Sequence, residues 1–194
     1  FFGDAAASNA GYIKYDNNNQ RMQFGVEAST RGTWNANGLG IGTTSPSKLL
    51  HIDSDTTGDV EVLYLENSNA STTSIDSVTQ TFRLRRDQDD YSYNAGKITA
   101  VKEQGWTNVA ATIDSALTFS TTQNETTAEK MRITSAGNVG IGTTSAINSA
   151  KLSIVDTTKP LTLAFDGSNY ATFKVSSGGK LIIDTGNDID LDTY

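Results

Sequence analysis

Cysteine is absent from the 194 residues, so neither a disulfide framework nor a thiolate metal site holds this chain together. Histidine occurs once, at His51, so a Ser-His-Asp triad or an imidazole zinc site would have to rest on that one residue. Apolar residues are scarce as well, at 36% of the chain, where about 45–50% (Gly included) is typical. That leaves too little apolar surface for a thick single core, yet β-branched and aromatic residues recur too regularly for disorder. Burial is therefore expected to be shared, either thinly along an extended axis or between chains. No apolar run approaches the roughly 18 residues needed to span a bilayer. Basic charge is short too: 15 Lys and Arg against 22 Asp and Glu give a net charge of −7. That balance opposes nucleic acid and anionic membranes as partners, since both need a basic surface. The chain begins Phe1-Phe2-Gly3-Asp4, without Met and without the basic flank of a signal peptide, and is expected to be a piece of something longer.

What the sequence does have is a repeat. Gly38-Leu39-Gly40-Ile41-Gly42-Thr43-Thr44-Ser45 returns as Asn138-Val139-Gly140-Ile141-Gly142-Thr143-Thr144-Ser145, and each copy runs into a short alternating segment, Lys48–Ile52 and Lys151–Ile154. Upstream, Ala10-Gly11-Tyr12-Ile13 matches Ala95-Gly96-Lys97-Ile98, and Met22-Gln23-Phe24 matches Leu117-Thr118-Phe119. A third, partial copy sets Phe173–Leu181 against Met131–Val139. Local patterns have period two at Val60-Val62-Tyr64, Leu161-Leu163, Phe173-Val175 and Ile189-Leu191, the mark of half-buried strands. Turn-forming clusters such as Asn17-Asn18-Asn19 and Ser176-Ser177-Gly178-Gly179 punctuate them. Thr126–Met131, too short for a helix, is expected to be a loop. The expected organisation is all-β: a first shaft repeat over 1–52, an inserted β region over 53–94, a second repeat over 95–154 and a partial third over 155–194.

Chemical equipment is thin. The Gly-rich string lacks both the Gly-x-Gly-x-x-Gly spacing with its helix and the Lys-Ser/Thr of a phosphate loop. Its glycines, Gly38, Gly40, Gly42, Gly137, Gly140 and Gly142, read as places of close backbone approach, crowded by neighbouring chains. His51 is replaced by Ser153 in the second copy, which suits an outward strand position better than a catalyst. The best local binding candidate is the charged and aromatic stretch Arg85, Arg86, Asp87, Asp89, Asp90, Tyr91 and Tyr93, joined by Trp106, as a contact for polysaccharide; a solvated hairpin of neighbouring charges is the plainer reading. Trp34 and Trp106 sit beside turns, where they can stack on sugars or cap a repeat. Asp184, Asp188, Asp190 and Asp192 supply oxygens of the kind calcium takes, but the calcium-loop patterns are absent and an acidic outer strand face explains them. Neither a metal nor a cofactor is expected. Asn69 and Asn124 stand in glycosylation sequons.

The string Met131-Arg132-Ile133-Thr134-Ser135-Ala136-Gly137-Asn138-Val139-Gly140-Ile141-Gly142-Thr143-Thr144 resembles the repeat of bacteriophage tail-fibre and tailspike shafts, often found upstream of an intramolecular-chaperone domain of the endosialidase type. The likeness covers most of Gly11 to Ile154, with the third copy reaching Asp184. It implies an elongated, fibrous, parallel homotrimer, a β-prism or β-helix-like shaft with small inserted β loops. It further implies a virion location outside the cell, other tail and fibre proteins as neighbours, and a host-surface glycan or protein as target. No catalytic site is expected. A polysaccharide depolymerase with carboxylates meeting between subunits, and a bacterial surface adhesin or filament subunit, are the alternatives. No chaperone domain is recognisable before Tyr194, and the first copy has Arg31-Gly32-Thr33-Trp34 where the second has Met131-Arg132-Ile133-Thr134.

Overall fold

The structure is a computed structural model that describes residues 2–4, 7–26, 29–54, 57–70, 72–86, 91–145, 149–158, 161–164 and 170–184. Two compact units divide the chain, residues 1–65 and 66–194. The architecture is all-β, with a short 3-10 turn at Ala110–Thr112.

The first unit holds one six-stranded sheet made of β1 (Phe2–Asp4), β2 (Ala7–Asp16), β3 (Arg21–Val26), β4 (Ser29–Asn35), β5 (Gly38–Ile41) and β6 (Leu50–Ile52), hydrogen-bonded in chain order. The second unit repeats the plan with β7 (Ser77–Arg85), β8 (Ser92–Lys102), β9 (Ser115–Gln123), β10 (Thr126–Ile133), β11 (Val139–Ile141) and β12 (Leu152–Ile154). Five antiparallel strands are followed in each case by a parallel sixth, β5 to β6 and β10's neighbour β11 to β12. A third sheet of three antiparallel strands comprises β13 (Leu161–Ala164), β14 (Tyr170–Val175) and β15 (Leu181–Asp184).

Register shows how closely the copies agree. Ile13 lies opposite Phe24 as Ile98 lies opposite Phe119, so the matched strings Ala10–Ile13 and Ala95–Ile98 occupy the same place on equivalent strands. Gly40 faces His51 as Gly140 faces Ser153. The third copy holds to atomic detail in its hairpin: Thr134 N–H donates to Asn138 O and Ser176 N–H to Lys180 O, both at 2.9 Å, with Gly137 and Gly179 at φ 73° and 78°. Glycine suits that left-handed position because it has no Cβ to clash.

Four expectations are corrected. Thr126–Met131 is a strand, not a loop: Gln123 pairs with Thr126 across a two-residue turn in which Asn124 and Glu125 both have positive φ, as in a type I′ hairpin. Residues 60–65, which alternate like a strand, pair with no strand among the described residues. The first copy does not set Arg31-Gly32-Thr33-Trp34 in the places of Met131-Arg132-Ile133-Thr134 but is shifted by one residue. Gly32, Thr33 and Trp34 oppose Ile41, Gly40 and Leu39, as Met131, Arg132 and Ile133 oppose Ile141, Gly140 and Val139. Its β4–β5 turn is one residue shorter, so an ungapped alignment misplaces that strand by one. Finally, the expected boundary between residues 94 and 95 falls inside β8, because the second sheet already begins at Ser77. The expected strand over residues 189–192 lies outside the described residues.

Candidate functional site

Directly opposed residues of a sheet share a face, so the registers sort every position. In the first sheet one row reads Tyr15, Met22, Trp34, Leu39, Leu50, and the next row on that face reads Ile13, Phe24, Gly32, Ile41, Ile52. In the second sheet the equivalent rows are Val78, Ala100, Leu117, Ile133, Val139, Leu152 and Gln80, Ile98, Phe119, Met131, Ile141, Ile154. No residue in the four rows is charged, in a chain of net charge −7. The row between them, on the opposite face, is polar: Lys14, Gln23, Thr33, Gly40, His51 in the first copy, and Thr79, Thr99, Thr118, Arg132, Gly140, Ser153 in the second.

Burial is inverted relative to an ordinary sheet. Trp34 is 62% exposed and Leu152 56%, whereas Thr33 is 0% and Ser153 5% exposed. Among the described residues the buried apolar side chains are few, Ala116 at 2% exposed and Pro46 below that. Folded chains normally hide their apolar face and wet the polar one. Here the polar face is the covered one, and the apolar stripe faces outward.

The Gly-rich loop is what covers it. Between β5 and β6 the chain must return the length of a strand in residues 42–49, far fewer than the dozen or so usual for a parallel connection. It does so by lying against the sheet. A Cβ on Gly40 would stand 2.7 Å from Thr43 O, and one on Gly140 2.8 Å from Thr143 O. Pro46, a residue of this loop, is fully buried. Gly42 and Gly142 turn at φ 76° and 70°, where a side chain would also meet Asp53 O and Val155 O. Close backbone approach within the chain is thus the reason for these glycines; Gly137 differs, since a Cβ there would meet nothing within 4 Å and its positive φ is what calls for glycine. Gly38 sits against Lys48 O and Leu49 in the same way.

A β-bulge, invisible in the sequence alignment, anchors each loop. Arg31 is the extra residue between Thr30 and Gly32, and Lys130 the extra one between Glu129 and Met131. Their carbonyls accept the N–H of Gly42 and Gly142, both at 2.9 Å. The signal was present only as a basic residue recurring at one place, which periodicity does not read.

Electrostatics differ between the covered faces. Asp16 accepts from Asn19 Nδ2 at 2.8 Å, and also from the Asn19 and Asn18 N–H groups and Arg21 Nε. The Asn19 side-chain bond above all, with these others and against the desolvation of the carboxylate, holds Asp16 below the ordinary carboxylate range. Arg21 then reaches Thr44 O of the loop at 3.2 Å. In the second copy the positions of Asp16 and Arg21 are taken by Val101 and Ala116. There Arg132 instead forks onto Glu129 at 2.6 and 2.9 Å, which raises its pKa against the opposing effect of partial burial. Thr33, in the place of Arg132, leaves its buried hydroxyl without a hydrogen-bond partner. His51 accepts the Ser47 N–H at Nδ1, 3.4 Å away, on the loop-covered face rather than outward.

The residues expected to meet a glycan separate into two places. Arg86 stacks over Tyr93 at 5.4 Å, Tyr91 and Tyr93 lie 6.4 Å apart between ring centres, and Arg86 also approaches Glu125 at 3.7 Å. Arg85 pairs across the ladder with Ser92. Asp87, Asp89 and Asp90 lie outside the described residues. Trp106 is elsewhere: its ring packs on Lys102, 5.3 Å away, its Nε1 donates to Asp114 O, and Lys102 bridges Asp76 at 2.6 Å. Lys102 stands nine residues along β8 from Tyr93, about 30 Å at strand rise. Asp184 ends β15, while Asp188, Asp190 and Asp192 lie outside the described residues; among those described, no three His, Asp or Glu side chains gather as metal ligands.

No protein-family model matches the chain, and no curated protein matches it. The open apolar stripe is therefore the feature from which a function has to be argued.

Proposed function

We propose that this chain is a segment of a homotrimeric fibre shaft of the bacteriophage tail-fibre type, a structural and attachment protein without a catalytic site. The observation that carries the reading is the uncharged apolar stripe left open on both six-stranded sheets. Such a surface is stable in water only when covered, and an acidic chain can approach copies of itself only through surface free of like charge. Five strands of the first sheet and six of the second, two rows deep, give roughly 700 Å² at ordinary strand spacings. Stable complexes bury about 800 Å² per partner. Three copies around an axis turn these faces inward and leave the loop-covered faces outside. The repeat at Met131–Thr144, with its resemblance to phage shafts, supplies the virion and host-surface setting, in which other fibre proteins are the axial neighbours.

Light scattering and dilution test this together. The mass is expected to be three times that of the chain, and the melting temperature to rise with protein concentration, as for an assembly without a stable monomer. A monomer that melts at one temperature over a hundredfold dilution would overturn it.

The cluster of Arg86, Tyr91 and Tyr93 favours a glycan as the outer target, since stacked rings beside a guanidinium suit sugar faces and carboxylates. Steady release of oligosaccharide from capsular polysaccharide would favour the depolymerase instead.

A further inference from the structure

Between its two six-stranded sheets the chain passes through Val60-Glu61-Val62-Leu63-Tyr64-Leu65. The strands of the sheets are apolar on one face only. This run is apolar on both from Val62 onward: in an extended chain Val60, Val62 and Tyr64 point one way, and Leu63 and Leu65 the other, with Glu61 at the outer end of that second face. Strands with that composition are ones buried on both faces. Yet Val60 is 40% exposed, Val62 50%, Leu63 60% and Tyr64 73%, and among the described residues its backbone joins no sheet. Its charged residues, Asp59, Glu61 and Glu66, stand toward the two ends and leave Val62 to Leu65 uncharged.

We infer that residues 60–65 become a strand only in the assembled protein, packed against the same segment of two other copies. This rests on the self-association proposed above and adds where it is tightest and why the number is three. In a two-fold pair of identical segments each covers one face of the other, and the second face stays wet. A closed ring of three gives every segment two neighbours, which is the smallest symmetric arrangement that covers both faces. The uncharged centre from Val62 to Leu65 is what lets three acidic chains converge there. The link between the sheets is then an axial core of the shaft rather than a passive connector.

The absence of cysteine makes the test clean. Leu63→Cys is introduced into the full chain, the mass is measured by light scattering, and the assembled protein is oxidised mildly before a denaturing, non-reducing gel. A covalent two-chain band is expected, since three thiols at one level leave one unpaired, and the thiol is expected to react with an alkylating reagent at least tenfold more slowly than that of Leu49→Cys, a loop position 87% exposed. Leu65→Cys, on the same face, repeats the measurement. An oligomer whose Leu63→Cys and Leu65→Cys thiols stay uncrosslinked and react as fast as Leu49→Cys overturns this inference and leaves the shaft reading standing. A monomeric parent protein overturns both. If both variants fall apart while the parent and Leu49→Cys remain oligomeric, the segment is needed for assembly, as proposed.

Discussion

The two six-stranded sheets are the same device filled differently. Their strand order, parallel last pair, bulge and outward apolar rows coincide. On the loop-covered face they diverge: an Asp16–Arg21 pair and Thr33 in the first, a Glu129–Arg132 pair, Thr118 and Ala116 in the second. What is held constant is backbone geometry and the open face; what varies is the packing under a loop that the same chain supplies. A surface kept open twice while its reverse is repacked is one on which a requirement acts from outside the sheet.

The largest test of that sameness is at the loop turns. Gly42→Val and Gly142→Val each place a side chain at positive φ and against a backbone carbonyl. Each is expected to cost about 3 kcal/mol or more, read as loss of the corresponding sheet's hydrogen-exchange protection. A cost confined to one copy would break the equivalence.

The open face comes next. Trp34→Glu and its counterpart Ile133→Glu are expected to weaken assembly by about 2 kcal/mol or more each, roughly 30-fold in dissociation, while leaving strand content unchanged by circular dichroism. Unchanged dissociation of both variants by sedimentation would show that the face is not an interface.

Beneath the loop the copies should respond oppositely. Thr33→Val removes a buried hydroxyl that has no hydrogen-bond partner and is expected to stabilise by about 1 kcal/mol, whereas Arg132→Ala strands Glu129 and is expected to destabilise by about 1–2 kcal/mol. Denaturant midpoints decide both signs.

The smallest effect is one of pH. Asp16 is held below its usual pKa in the fold, so its contribution is complete above the unfolded value near 3.8 and disappears as pH falls through the lowered folded value. Val101 occupies the equivalent place in the second sheet. Acidification in this window should therefore loosen the Asn17–Gln20 turn through Asp16, and Asp16→Asn should remove that dependence. Carboxyl chemical shifts followed by NMR from pH 5 to pH 2 measure it.

Much of this was legible in the residues. Ala10–Ile13 against Ala95–Ile98, and Phe173–Leu181 against Met131–Val139, aligned correctly because strands conserve alternation and hairpins conserve the glycine at positive φ. Thr126–Met131 was not legible as a strand, since its β character comes from the partner that the Asn124-Glu125 turn brings alongside. Nor was the separation of Trp106 from the Arg86–Tyr93 pair, which the length of β8 sets apart. The bulges at Arg31 and Lys130 escaped for a different reason, because an extra residue shows only against the strand it faces.

Composition and periodicity by themselves determined that the chain is all-β, repeated, short of apolar mass and equipped with glycine where backbones crowd, since each of these depends on local sterics or on counting. Which face of each sheet is covered, and by what, was decided only in three dimensions. Alternation assigns residues to two faces but does not say which one a returning loop will lie on, and it is that loop, held to the bulge carbonyl by Gly42 or Gly142, which closes the polar side and leaves the apolar side open.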